Sequence, residues 1–175
     1  DYNPRDYPAV AVTVDIVMFT IVDAELKVLL IQRGTPPFLG QWALPGGFIH
    51  PDEDLADAAW RELAEETGIH QDPGHLEQFG SYGDPDRDPR MRVVTVGFWA
   101  IVSALPTPAG GSDARNAELV AVSEVESGRI RLAFDHATIL ADALETARSK
   151  LESTTLAAAF CGPEFTVSDL RKVYD

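Results

Sequence analysis

Glu53, Glu62, Glu65 and Glu66 crowd one short stretch of the chain, and the last three are spaced i, i+3 and i+4. On a helix of about 3.6 residues per turn these three carboxylates share one face. Like charges so placed repel one another unless a cation sits among them. The ordinary reading of such a run is a solvated acidic face. Two neighbours favour a metal cradle instead. Residues 44–47, Leu-Pro-Gly-Gly, form a turn whose missing side chains let a backbone carbonyl approach a ligand. Arg61 adjoins Glu62 and carries a fork of donors that can orient its neighbours. Carboxylate oxygens beside an exposed backbone carbonyl suit Mg2+ or Mn2+, hard cations of the kind used on diphosphates.

Gly47, Glu53 and the run from 61 to 69, RELAEETGI, fit the spacing G-x5-E-x7-R-E-U-x-E-E-x-G-U, where U is aliphatic. Every defined position matches, and the chain resembles the Nudix family. The resemblance implies an α/β fold, an α/β/α sandwich with a mixed β-sheet, and a strand-loop-helix motif holding metal against a nucleoside diphosphate linked to another group. Under it, Glu62 and Glu66 are the main Mg2+ ligands, Glu65 serves a second metal or a water, and the Gly46 carbonyl completes the shell. Glu53 then supports the site by pairing with Arg61. A base or further ligand opposite the helix is expected on the loop at 106–116, with Asp113 first by type and Glu118 behind it.

Substrate choice rests on other stretches. Residues 40–48, 82–92 and 132–136 together look like ADP-ribose pyrophosphatases. The ending, FTVSDLRKVYD, is similar to the junction in Nudix-related transcriptional regulators of NAD metabolism, which join a Nudix-like domain to a DNA-binding winged helix. Two functions follow: a hydrolase cleaving ADP-ribose to AMP and ribose 5-phosphate, or the ADP-ribose-sensing domain of a regulator with little turnover. The complete set of glutamates favours the first, and the interrupted C-terminal helix the second. The candidate substrate contacts are Arg33, Trp42, Phe48, Tyr82, Arg87 and Arg90. Arg33 is either a surface arginine or a phosphate contact. Trp42 either closes the core or stacks a base, and Arg87 and Arg90 either pair within their loop or reach a phosphate.

These residues need a scaffold. Residues 10–20 and 26–32 are rich in Val, Ile and Leu and read as a hairpin about 23–25. Strands are also read at 76–82, 91–103 and 119–122. A short helix is read from Ser123 with capping-box character, and a longer one over 135–151. Ile139, Leu140, Ala143, Leu144 and Ala147 make its apolar stripe, destined for core or dimer contact. His136, with no second histidine or cysteine at ligand spacing, reads as structural. Residues 1–8 read as an extended arm.

The chain of 175 residues suits one domain with an appendage: residues 1–150 as the Nudix domain and 151–175 as an extension that starts a winged-helix domain lying further on. Subtracting 28 acidic from 14 basic residues leaves −14, which disfavours nucleic acid for this chain and leaves such binding to that further domain. A polyanionic small molecule stays compatible where metal and arginines reverse the sign locally. The longest apolar run, 93–105, is too short for a membrane span, and the DYNPRDYP opening lacks a signal-peptide pattern. A single cysteine, Cys161, in an apolar run reads as a packing residue and fits the cytoplasm. Many family members dimerise, which implies a homodimer, with the N-terminal strand and the 83–92 loop as contact regions.

Overall fold

The computed structural model describes residues 2–70, 75–111 and 114–153. In chain order the elements are β1 (Ala11–Val22), β2 (Glu25–Arg33), β3 (Trp42–Ala43), β4 (Gly46–Phe48), α1 (Leu55–Thr67), β5 (Glu77–Tyr82), β6 (Val93–Val102), β7 (Ala114–Ala121), α2 (Val122–Glu126) and α3 (His136–Ser153). The strands form a mixed sheet. β1 lies parallel to β6 over ten residue pairs, from Ala11 opposite Val93 to Thr20 opposite Val102. The β1–β2, β2–β7, β5–β6, β1–β4 and β2–β3 ladders are antiparallel.

Side-chain alternation along the strands sorts the core into two layers. Val14, Ile16 and Met18 of β1, with Val96, Phe98 and Ala100 of β6, pack under Ala58, Ala59 and Leu63 of α1. Val17, Phe19, Trp99 and Ile101 point the other way and pack against Ile139, Leu140, Ala143, Leu144 and Ala147 of α3. The stripe read on the long helix therefore closes the core of its own chain. α3 runs on through residue 150 to Ser153, and Leu151 packs against the same layer.

β1 and β2 are joined by a tight hairpin in which Asp23 and Ala24 both have positive φ, 52° and 62°. That is the type I′ geometry that matches the twist of the flanking strands. The two strands pair only from Phe19–Val28 to Val22–Glu25 and then diverge. β4 fills the gap on the β1 side, at Thr13, Val14 and Asp15, and β3 fills it on the β2 side, at Ile31 and Gln32. A cleft opens along this divergence.

Several local expectations shift. Pro4–Asp6 makes a 3-10 turn, begun by the Asn3 side chain accepting from the Arg5 N–H, where an extended arm was read. β7 starts at Ala114 rather than 119, because β2 continues to Arg33 and supplies ladder partners that far. α2 starts at Val122, so Ser123 lies inside it, and its N-cap, Ala121, makes no side-chain cap bond. β3 and β4 are too short to leave a periodic signal. Residues 154–175, with Cys161 and the final helix read from sequence, lie outside the described residues.

Candidate functional site

α1 is set by its ends. The Asp54 side chain accepts from the Leu55 N–H at 2.7 Å, and Gly68, in the left-handed region at φ 72°, closes the helix by donating to the Ala64 carbonyl. With Ala58, Ala59 and Leu63 committed to the sheet, Glu62 and Glu66 are carried, one turn apart, to the rim facing β4. The Gly46 N–H donates to Glu66 Oε2 at 2.9 Å. A Cβ at Gly47 would collide with the Glu62 carboxylate, and one at Gly46 would collide with the Val14 carbonyl, so this turn requires glycine for close approach.

Arg61 gathers the acidic groups. Its Nε and Nη2 grip the two oxygens of Glu53 at 2.9 and 2.6 Å, its Nη1 reaches Glu62 at 2.7 Å and Glu65 at 3.3 Å, and Nη2 also donates to the Phe48 carbonyl. Hydrogen bonds from Arg61 and from the His50 N–H hold the Glu53 carboxyl down at about 2. Burial pushes Glu62 up, partly offset by Arg61, and pushes Glu66 up to about 8, helped by the charges of Glu62 and Asp15. Among the described residues no three His, Cys, Asp or Glu side chains converge on a common point that could hold a metal. The carboxylates are drawn instead onto Arg61 and the Gly46 amide. The donor set still fits a hard divalent cation: two buried carboxylate groups, whose ionisation burial opposes, stand beside a side-chain-free turn.

The cleft has a volume of about 320 Å3 and is lined from both sides of the strand divergence. β1 contributes Thr13 and Asp15, β2 contributes Ile31 and Arg33, and α1 contributes Arg61, Glu62, Glu65 and Glu66. The far wall comes from Arg87, Asp88, Arg90, Phe134 and His136. Arg87 is buried, pairs with both oxygens of Asp135 at 2.9 and 2.7 Å, and stands 3.7 Å from Asp15. Burial opposes its charge, but these carboxylates win and raise its pKa. Arg90 grips Asp88 at 3.0 and 2.7 Å and lies over the rings of Phe48 and Phe134, while Arg33 lies 4.9 Å from the Phe134 centroid. Phe134 itself has a positive φ of 53° and meets Phe38 edge-on.

The NUDIX domain model matches residues 12–143. The chain belongs to the Nudix family. The ADPR responsive transcriptional repressor NtrR of Acinetobacter baylyi is 35% identical over 99% of this chain and 69% of its own length. The ADP-ribose pyrophosphatase of Methanocaldococcus jannaschii is 39% identical over 78% of this chain and 73% of its own. Among solved structures, the NUDIX domain of Shewanella oneidensis NrtR complexed with ADP ribose superposes with a TM-score of 0.75 at 37% identity, covering 84% of this chain and 94% of that one. The α/β/α sandwich with a mixed sheet is thus the Nudix fold.

Within this Nudix site the structure brings together Gly46, Glu53, Arg61, Glu62, Glu65 and Glu66, together with Arg33, Phe48, Arg87 and Arg90. It places two residues elsewhere. Trp42 sits in β3 opposite Gln32, half-buried against the α3-side core, with its carbonyl accepting from Ala133. Tyr82 packs on Phe79 and donates to Asp142 of α3 at 2.8 Å. Neither lines the cleft. Asp113 lies outside the described residues, and Glu118 in β7 is exposed and accepts from Asn116. Sequence reasoning missed Asp15, an acid inside an aliphatic strand, and that break in an apolar run was the available signal. Phe134 was passed over because it acts through tertiary neighbours, and Asp88 because its bonds to Arg90 are internal to one polar loop. His136, read as structural, does make structural bonds, but from the wall of the site.

Proposed function

We propose that this chain is a metal-dependent Nudix pyrophosphatase that cleaves the diphosphate of ADP-ribose, or a related nucleoside diphosphate derivative, to AMP and a sugar phosphate. The observation that carries the reading is the pair Glu62 and Glu66, buried one turn apart against the glycine turn of β4, in a cleft whose opposite wall presents guanidinium groups. Glu62, Glu65 and Glu66, with the Gly46 carbonyl, are the residues that would hold Mg2+, with Mn2+ as the alternative. Bound there, the ion supplies Lewis acidity toward the diphosphate and lowers the pKa of a coordinated water.

The remaining roles belong to the chain. Glu53 clamps Arg61, which orients Glu62 and Glu65. Glu65, with a half-exposed side chain beside that guanidinium, is positioned to take the proton of the attacking water; Asp113 is the other candidate for this step. Hydrolysis breaks one P–O bond of the diphosphate bridge, water oxygen joins that phosphorus, and the other phosphate leaves with the bridging oxygen. Arg33 and Arg90 offer the positive charge that admits a polyanion to a chain of net charge −14.

A second reading is supported by the repressor's match along nearly the whole chain: an ADP-ribose-binding regulator domain with little turnover. Incubating the protein and Mg2+ with ADP-ribose, NADH and sugar nucleotides, and assaying AMP, separates the two. Turnover of ADP-ribose supports the hydrolase; tight ADP-ribose binding with negligible AMP supports the sensor. A homodimer acting in the cytoplasm completes the proposal. No helix among the described residues is long and apolar enough to cross a membrane.

A further inference from the structure

We propose that His136 is a positioning residue for the 44–47 turn: its Nδ1 anchors the Leu44 N–H, and Asp15 fixes the imidazole tautomer that allows this. The Leu44 N–H donates to His136 Nδ1 at 3.0 Å, ninety-two residues away in sequence. Leu44 is buried and is followed by Pro45, which has no N–H, so this amide is the last donor before Gly46. The Pro45 carbonyl accepts from the Ile16 N–H at 2.8 Å, and the Gly46 N–H goes to Glu66. The turn is therefore held at three successive points, one of which is a side chain from the start of α3.

An imidazole accepts at Nδ1 only with its proton on Nε2. Nε2 lies 3.3 Å from Asp15 Oδ1, and Asp15 is itself fixed by Thr95, whose hydroxyl donates to Oδ2 at 2.6 Å, and by Arg87 at 3.7 Å. The Asp15 carboxylate lies on the Nε2 side and a donor faces Nδ1, so the surroundings specify one tautomer. Losing the anchor leaves a buried N–H without an acceptor and frees the segment that presents Gly46 to Glu66 and Gly47 to Glu62. The bonds of His136 go to the Leu44 N–H and toward Asp15. The imidazole acts through the backbone of Leu44.

The metal arm of this inference rests on the proposed function; the tautomer arm does not. In the 15N-labelled full chain, long-range imidazole correlations should show His136 protonated at Nε2, with a scalar coupling across the N–H···N bond to Leu44. Protonation at Nδ1, or no coupling, would overturn the proposal. Mn2+ titration followed by the EPR signal of the free ion then compares wild type with His136→Asn, whose amide oxygen can replace Nδ1, and with His136→Leu. His136→Asn should bind within about 3-fold of wild type, and His136→Leu about 10-fold or more weaker, with faster exchange of the Leu44 amide. Equal Mn2+ affinity in a folded His136→Leu protein would also overturn it. Should the leucine variant not fold, the tautomer and the asparagine variant decide. If wild type binds no Mn2+, the metal reading of the site fails, while the tautomer arm still judges the anchor.

Discussion

Arg87 and Asp135 form a two-point ion pair, at 2.9 and 2.7 Å, in which the arginine side chain is only 4% exposed. Both oxygens of Asp135 are taken up, and Asp15 is a further carboxylate neighbour of the same guanidinium. Arg87→Met should therefore destabilise the protein by about 3–5 kcal/mol, the cost of leaving buried Asp15 and half-buried Asp135 without their cation. Chemical denaturation checks this, and a loss below about 1 kcal/mol would show that Arg87 is not the keystone of the wall.

Arg90 predicts a different outcome. It is the more exposed of the two and lies over Phe48 and Phe134 in the cleft. Arg90→Met also leaves the buried Asp88 carboxylate without its two-point partner, so it should cost about 1–3 kcal/mol of stability, while raising KM for the diphosphate substrate more than it lowers kcat. A steady-state comparison of both variants distinguishes wall from contact.

Glu66→Gln tests the carboxylate itself. Glutamine retains an oxygen to accept from the Gly46 N–H, so the turn should keep its shape. Mg2+-dependent hydrolysis should fall by about 100-fold or more, with circular dichroism and melting behaviour near wild type. Unchanged turnover would exclude Glu66 from the metal site.

The same residue sets a pH dependence. Burial raises the Glu66 carboxyl from 4.5 to about 8. A group raised on folding stabilises the fold fully below its unfolded pKa, and this contribution fades as pH rises through about 8. Mg2+ requires the ionised form, so metal affinity should climb over the same window and level off above it. Thermal melts from about pH 5 to 9, with and without Mg2+, should show the stabilisation by metal growing with pH, and Glu66→Gln should flatten that growth.

At the far end of the sheet, Ala24 occupies the left-handed region at φ 62° in the type I′ turn. Ala24→Gly should relieve this and stabilise the protein by about 0.5–1 kcal/mol, read as a small rise in Tm without change in kcat. A lowered Tm would mean that the alanine conformation carries no strain.

The legibility of this molecule divides along a physical line. The helix of carboxylates, the Arg61 clamp on Glu53 and the glycine turn were readable because their spacing is local: each relation spans a turn of helix or a single loop. The stripe on α3 was readable for the same reason, as were β1 and β2. Asp15, Asp135 and His136 were not readable as a unit, since they are brought together by the parallel pairing of β1 with β6 and the return of α3 across it. Trp42 and Tyr82 have the residue types of a stacking platform, but a two-residue strand and a bond to Asp142 commit them to the other side of the sheet. Type alone does not tell which way a side chain faces.

The divergence of β1 from β2 gives the molecule the form of a tuning fork. The tines are tied by the two-residue bend at Asp23 and Ala24, and the reactive groups sit in the slot between them. The stretches at 34–41 and 83–92 emerge at the open tips, where β2 ends and β6 begins. Lengthening or recolouring those tips would alter which group fits beside a diphosphate without breaking a rung of either ladder. The fork separates what the catalyst does from what it does it to.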